Sequence, residues 1–504
     1  MPVDPAKLPN DRRKLKQMVV DYGTRIDKLE AMLQSVVEAQ RLEAGRKSEQ
    51  LTKDQLALFA AEAQTAAALP EFGDDDLPPP SATSVKEPTP RGRQPLPKHL
   101  KRERIEHDLP DNAKHCANCN SALRRFGEET SERLEYIPAQ WKVIEEVCYK
   151  YACKCWIHTA TKPSQPLPKS LAGPSLLAQV IVSKFCDHLP LHRQAKMYAR
   201  SGVALSEQTI GDWCAATAEL LGGLYEELKR AVLASKVVGT DDTAVAVRIQ
   251  GLDHTKSARV WPYVGDRDHE LVAYDFTMDR SRAGPEKFLS KYKGVLQADA
   301  YSVYDAFFKN KQRGLIEAGC LAHARRHVYK ALETDSRLQG VLHWIAKLYA
   351  VEKHARECGS LGGDALTALR AKMSKPIVKR LRSLLEHLQE EMLPKSAAGK
   401  AVRYLLRHWT ALTRFATDGD VPIDNNRTER AIRPWAIGRN NWTFFGSAKG
   451  GQTAAVLMSF VASCKLQGID PYEWYCDVLT RIADHPQSRL AELLPNRWKL
   501  TRAG

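Results

Sequence analysis

Apolar and polar positions alternate with different rhythms along this chain, and each rhythm predicts a different element. Leu15, Val19, Tyr22, Ile26, Leu29, Leu33 and Val36 recur at steps of four and three, the seam of a coiled coil, with Arg25, Asp27, Lys28, Glu30 and Glu38 between them. The seam either joins copies of the chain or packs on the same chain; for residues 10–69 the expectation is a helical region that makes a homo-oligomer. Over 70–110 the periodicity stops. Asp74–Asp76, then Pro78–Pro80, then a basic run through Arg91, Arg93, Lys98, Lys101, Arg102 and Arg104 read as a proline-rich basic linker.

Residues 175–235 return to helical spacing, with Leu176, Leu177, Val180, Ile181 and Phe185 as one stripe. Within LHRQAKMYARSGVALSEQTIGDWCAATAELL the pattern predicts a helix, a turn at Ser201-Gly202 and a second helix capped by Ser206. This is helix-turn-helix spacing, with Gln208, Thr209 and Asp212 outward. Either the second helix reads bases or the pair is a packing unit, since Glu207, Asp212 and Glu219 repel phosphate.

From Lys236 to Gly319 the period shortens. Strands are expected over Val237–Ile249, Ala258–Val264, Leu271–Thr277, Val295–Ala298 and Leu315–Cys320, with a helix near Tyr301–Lys309, giving a mixed sheet flanked by helices. A core first part over 236–330 is followed by a helical insertion over 331–420, the last part of the core over 421–465 and a helical C-terminal tail over 466–504. The fold class is multidomain α+β.

Composition narrows the class. With 504 residues, 43% apolar and 27% charged, the chain is long enough for several cores and has the balance of a soluble globular protein. No apolar run approaches the ~20 residues of a membrane span, and Thr453–Cys464 has the size of a buried core helix. MPVDPAKLPNDRRK lacks the apolar region of a signal peptide, so no membrane partner is expected. Eleven irregularly spaced cysteines fit a reducing cytoplasm better than a disulfide framework. The net charge of +15 favours a polyanion, nucleic acid above all.

Two groups of residues carry chemistry. In 111–160, Cys116-x2-Cys119 and Cys153-x-Cys155 flank a β-like stretch (Leu134–Tyr151), the arrangement of a structural zinc site in a segment too small to fold unaided. The second pair is contracted, which leaves Cys148 or His158 as an alternative fourth ligand and free thiols as the other reading. The second group begins with KVVGTDDTAVAV, where Asp241 and Asp242 interrupt a β-branched strand. A buried carboxylate costs several kcal/mol without a cationic companion, such as a metal ion or a basic clamp. Asp299 ends the short strand of LQADAYSVYD, and Glu429 lies in a basic helical segment, DNNRTERAIRPWAIGR.

These stretches, in this order, resemble the insertion-sequence family 66 transposases over nearly the whole chain. The resemblance rests on GRKSEQLTKDQLALF, LPKHLKRERIEHDLP, YACKCW, DHLPLHRQAKMYARSGVALS, GTDDTAV, LQADAYSVYD, CLAHARRHV, DNNRTERAIRPWAIGRNNW and DPYEWYCDVLTRIADHP with LLPNRW. It implies a ribonuclease H-like catalytic core with Asp241, Asp299 and Glu429 as an acidic triad. The expected partners are double-stranded DNA, as element ends and target, and small accessory proteins of the same element. The expected location is the cytoplasm, on the nucleoid when bound. Where the family commonly reads Asp-Glu-Thr-Pro, this chain has Asp241-Asp242-Thr243-Ala244, and the shorter Asp242 is expected to give up supporting contacts.

The chemistry suits these residue types. Two Mg²⁺ (or Mn²⁺) ions about 4 Å apart activate the nucleophile and neutralise the leaving oxygen, and hard cations prefer carboxylate oxygen. Arg427, Arg430, Arg433 and Arg439 surround Glu429, Arg433 sharing its face at i+4, either to contact DNA phosphate or to neutralise the acid. His323, Arg325 and Arg326 are DNA or supporting contacts, with a satisfied core histidine as the alternative, because no second pair accompanies Cys320-x2-His323.

Overall fold

A computed structural model describes residues 104, 121, 140–152, 157–299, 303–309 and 314–502. The chain divides into two units, Met1–Val143 and Ile144–Gly504. The seam from Leu15 to Val36 and Cys116, Cys119, Cys153 and Cys155 lie outside the described residues. A hairpin, β1 (Lys150–Ala152) and β2 (Ile157–Thr159), is the first regular structure among the described residues of the second unit, with Lys150 opposite Thr159. Residues 140–149 have no regular structure, so of the β-like stretch expected over Leu134–Tyr151 only the last residues form strand among those described.

Four helices follow: α1 (Pro174–Phe185), α2 (Leu191–Arg200), α3 (Glu207–Leu220) and α4 (Gly222–Leu233). Ser206 caps α3 by accepting from the Thr209 amide at 3.0 Å, and Gly202 takes φ 84° in the turn, where only glycine is unstrained.

The sheet comprises β3 (Val237–Thr240), β4 (Thr243–Arg248), β5 (Thr255–Val264), β6 (Val272–Thr277), β7 (Val295–Gln297) and β8 (Ile316–Ala318), with α5 (Ala283–Phe288) before β7 and α6 (Asp305–Lys309) after it. The single strand expected over Val237–Ile249 is two. Its register against β5 nevertheless runs unbroken, with Thr240 opposite Tyr263 and Thr243 opposite Val260, so only the bonding lapses at Asp241-Asp242. The helix expected from Tyr301 begins at Asp305, and the strand expected over Leu315–Cys320 shortens to Ile316–Ala318.

Strand order runs β6–β5–β3/β4–β7–β8, antiparallel on the β5 and β6 side and parallel from β3 through β7 to β8. Val238 and Leu296 join one hydrophobic core and their neighbours Val237 and Val295 another, so both faces of these strands are covered and the apolar run need not alternate.

The second core belongs to the helical insertion: α7 (Leu321–Ala331), α8 (Leu338–Glu357), α9 (Gly363–Glu391), α10 (Ala397–Arg407) and α11 (Trp409–Leu412). The chain then returns through α12 (Asn426–Trp442), a short β9 (Phe444–Phe445) parallel to β4, and α13 (Ala448–Leu466). α13 is buried nearly all round, and its serines cover the outer edge of β6: Ser459 Oγ accepts from the Tyr274 amide at 2.8 Å and Ser463 Oγ from the Val272 amide at 3.0 Å. α14 (Pro471–Arg481) and α15 (Pro495–Arg502) close the unit; Trp474 stacks on Phe460 of α13 at 5.0 Å. No helix among the described residues is long and apolar enough to cross a membrane.

Candidate active site

Register places the first two acids. β3 and β7 pair in parallel with Val237 opposite Val295 and Gly239 opposite Gln297, an offset of 58 residues. Asp241 and Asp299 are separated by the same offset and each lies two positions beyond the last residue of this pairing, Gly239 and Gln297. Neighbouring strands lie about 4.8 Å apart, so the two carboxylates leave the sheet side by side.

The third acid arrives across a gap in the sheet. Along the edge of β3/β4 away from β5, β7 pairs only as far as Gly239 and β9 begins at Ala246. The carbonyls of Thr240 and Ala244 fall between, without strand partners on this edge. α12 supplies them: Asn425 Nδ2 donates to Thr240 O at 2.9 Å and Arg439 donates to Ala244 O at 2.9 Å. Glu429 lies between these two anchor points on the helix and is thereby brought to the break at Asp241. Trp435, fully buried, packs edge-on against Tyr274 at 5.3 Å, and the Tyr274 hydroxyl donates to Ala431 O at 2.6 Å.

This approach depends on Gly239. A Cβ there would fall inside contact distance of Thr428 Oγ1 and lie 2.9 Å from Asn425 Oδ1. Gly239→Ala is expected to push the start of α12 off β3 at a cost of about 1–3 kcal/mol. A denaturant midpoint would measure it, and an unchanged midpoint would show that the contact yields freely.

The electrostatics are those of crowded acids. Burial first, then the charge of Asp299, push the Asp241 carboxyl up to about 7, with Asp242 and Glu429 adding to the repulsion and the bond from the Asp242 amide to Asp241 Oδ1 (2.7 Å) opposing it. Glu429 Oε1 is buried without a hydrogen-bond partner, as is His323 Nδ1, and the two stand 3.6 Å apart. An orphaned oxygen on Glu429 and a carboxylate repelled by its acidic neighbours at Asp241 fit hard divalent cations.

Among the described residues a different grouping brings ligating atoms together: Cys320, His323 and Glu429 offer atoms within 4.8 Å of one another. Cys320-x2-His323, unaccompanied in sequence, therefore does have a third neighbour. Within it Cys320 Sγ accepts from the Asn425 amide at 3.2 Å, while burial pushes its thiol up to about 11.

The remaining expected residues divide. Asp242, rather than giving up contacts, holds two arginines: Arg259 at 3.0 Å and Arg280, whose Nε and NH2 grip the carboxylate at 2.6–3.1 Å. Arg439 holds β4, and Arg427 lies 3.6 Å from Glu270, both engaged within the fold. Arg430, Arg433 and Arg325 are exposed, and Arg326 is half-buried. Asp242's arginines were not foreseeable, since Arg259 and Arg280 carry no motif. A cavity of about 360 Å³ behind the start of α12 is lined by Gly239, Gln297, Asn425 and Arg370, and none of the three acids lines it.

The fold and site define an α/β protein whose mixed sheet ends in a carboxylate cluster beside an exposed basic helix. Residues 169–453 match the Transposase IS66 family, residues 459–496 the IS66 C-terminal element, residues 113–155 the zinc-finger binding domain of transposase IS66, and residues 33–105 the Transposase C of IS166 homeodomain. The chain belongs to the IS66 transposase family. It is 33% identical to "Uncharacterized protein y4jD" of Sinorhizobium fredii (strain NBRC 101917 / NGR234), over 99% of this chain and 98% of that protein. It is 32% identical to "Uncharacterized protein y4hP" of the same strain, over 99% and 89%. Membership supports a transposase role on DNA, and the zinc-finger match, which spans Cys116, Cys119, Cys153 and Cys155, supports a structural zinc.

Proposed function

We propose that this protein is an active DNA transposase, cutting at the ends of an insertion sequence and joining the freed 3′-hydroxyl to target DNA in a ribonuclease H-like core built from β3 to β8. The observation that carries the reading is the shared 58-residue offset of Asp241 and Asp299 with the β3–β7 register, together with the delivery of Glu429 into the adjoining gap. Asp241, Asp299 and Glu429 would hold two divalent ions, Mg²⁺ or Mn²⁺. When bound, such ions supply charge neutralisation at phosphate and lower the pKa of a nucleophilic oxygen.

The chain's own residues do the rest. Arg430 and Arg433 set guanidinium groups beside Glu429 to orient phosphate, with Arg325 on the facing helix. The Arg259–Asp242–Arg280 cluster fixes the strand next to Asp241. Arg427 and Arg439 keep the helix of the third acid in place, and His323 stands beside the acid itself. The zinc segment (111–160) and the helical region 175–235, through its α2–α3 pair, serve end recognition, and the seam over 10–69 brings copies together.

Purified protein, divalent ions and DNA carrying the element's ends test this directly. Nicked and joined products are expected. Binding without cleavage would leave only a DNA-binding protein, and cleavage without joining would leave a nuclease of the junction-resolving kind.

A further inference from the structure

The insertion presents a surface that the proposed site touches only at its end, through His323 and its neighbours on α7. α7 (LAHARRHVYKA) and α10 (AAGKAVRYLLR) pack against each other, and each carries three Arg or Lys residues and no Asp or Glu. By contrast, α9 bears Asp364, Glu386, Glu390 and Glu391 among its cations. Helical spacing gathers the charges: His323, Arg326, His327 and Lys330 fall at i, i+3, i+4 and i+7 on α7, and Lys400, Arg403, Tyr404 and Arg407 share a face of α10.

The two stripes meet through rings. His327 and Tyr404 approach with centroids 4.4 Å apart, and Tyr404 and His408 at 4.8 Å. At the other end of α7, His323 lies 3.6 Å from Glu429, one turn before His327. A row of rings, flanked by cations, therefore runs from the acid cluster out along the insertion. Burial first and the charge of Asp299 next push the Tyr404 phenol up to about 12, which ties this row to the second acid as well as the third. Lys400, Arg403 and Arg407 are exposed, Arg403 also donating to the Pro394 carbonyl.

We infer that the α7–α10 face is a binding track for an unpaired DNA strand leaving the acid cluster, with phosphates on Lys400, Arg403 and Arg407 and a base stacked against the His327–Tyr404–His408 rings. Cations alone suit any phosphate backbone. Rings at the seam gain from bases only when those bases are unpaired, since a duplex keeps its π-faces to itself. This inference rests on the reading that the cluster acts on DNA, and the test separates the two.

The full-length Asp241→Asn protein, in which cutting is expected to be absent, is titrated with a single-stranded oligodeoxynucleotide carrying 2-aminopurine and with the matching duplex, across a range of salt. Lys400→Ala/Arg403→Ala/Arg407→Ala is expected to lower the single-strand log–log salt slope by about 2, from roughly 0.7 per lost contact. Tyr404→Leu, which keeps an apolar side chain between the helices, should weaken single-strand binding roughly tenfold or more and remove the 2-aminopurine quenching while sparing the duplex. If the triple variant binds single strands with an unchanged slope, the track is overturned. Equal losses for duplex and single strand, or quenching that survives Tyr404→Leu in a protein with an unchanged melting temperature, overturn the stacking. Should wild-type protein fail to cut DNA while these binding losses appear, the track stands and the transposition reading falls.

Discussion

Asp241→Asn is expected to make the divalent-free protein more stable while removing its power to cut DNA. The buried carboxyl of Asp241 titrates at about 7 in the folded chain against 3.8 for the unperturbed group. The folded state thus keeps a proton that the unfolded chain has released, and stability falls as pH rises from about 4 to about 7, the loss being complete above that. A shift of this size corresponds to a destabilisation on the order of 2–4 kcal/mol near neutral pH, shared with the neighbouring acids. Asparagine keeps the acceptor for the Asp242 amide and drops the charge. The variant should therefore melt several degrees higher than wild type at pH 7.5 in chelator, with little difference at pH 4.5. Added Mg²⁺ or Mn²⁺ should close that gap, because ligand binding stabilises only the chain that can hold it. Cleavage should fall by a factor on the order of 10³ or more, since a correctly held cation contributes several kcal/mol to the transition state. A variant that melts lower than wild type in chelator, with no dependence on pH, would show that the acids are not crowded as described.

Much of this site was visible in the chain because its departures from pattern are local. Two aspartates inside a β-branched run have no packing reason to be there, and the offset between Asp241 and Asp299 equals a strand register that only pairing reveals. Ser206 declared its cap by position alone. What the sequence concealed are partnerships across long separations between residues with nothing unusual beside them. Cys320 and His323 meet Glu429 only because α12 bridges the open strand edge. Ser459 and Ser463 look like interruptions of an apolar helix until β6 is seen to need donors and acceptors on its edge. In sequence Asp242 is a weakened residue; in the fold its shorter side chain receives Arg259 of β5 and Arg280 from the bend after β6. The apolar pattern on both sides of the break between β3 and β4 is the same, so the sequence predicts one continuous strand; the ladder lapses without any change of register.

The least visible partnership has the largest expected effect on stability. Arg370→Met should destabilise the second unit by about 3–5 kcal/mol, the cost of leaving a buried charge without its partner. Along α9 Arg370 resembles any other basic residue, yet it is 2% exposed and grips Glu352 of α8 with two bonds of 2.7 Å. Its remaining nitrogen donates to the carbonyls of Phe415, Asp418 and Val421, each at 2.9 Å, in the segment that leads into Asn425 and Glu429. The pair thus anchors both the insertion and the approach to the third acid. Replacing both members, as in Glu352→Leu/Arg370→Met, should recover part of the loss, because no lone carboxylate stays buried, while the three carbonyls remain unserved. Cleavage should decline with the single variant even at temperatures where it is folded, since Glu429 is placed by the segment that Arg370 holds. Being buried, the pair should also resist salt, whereas the exposed bridges from Lys236 to Asp418 and Asp420 should weaken with it. Denaturant midpoints for the two variants at low and high salt measure all of this, and a single variant within 1 kcal/mol of wild type would mean that water reaches Glu352 and the anchor is not one.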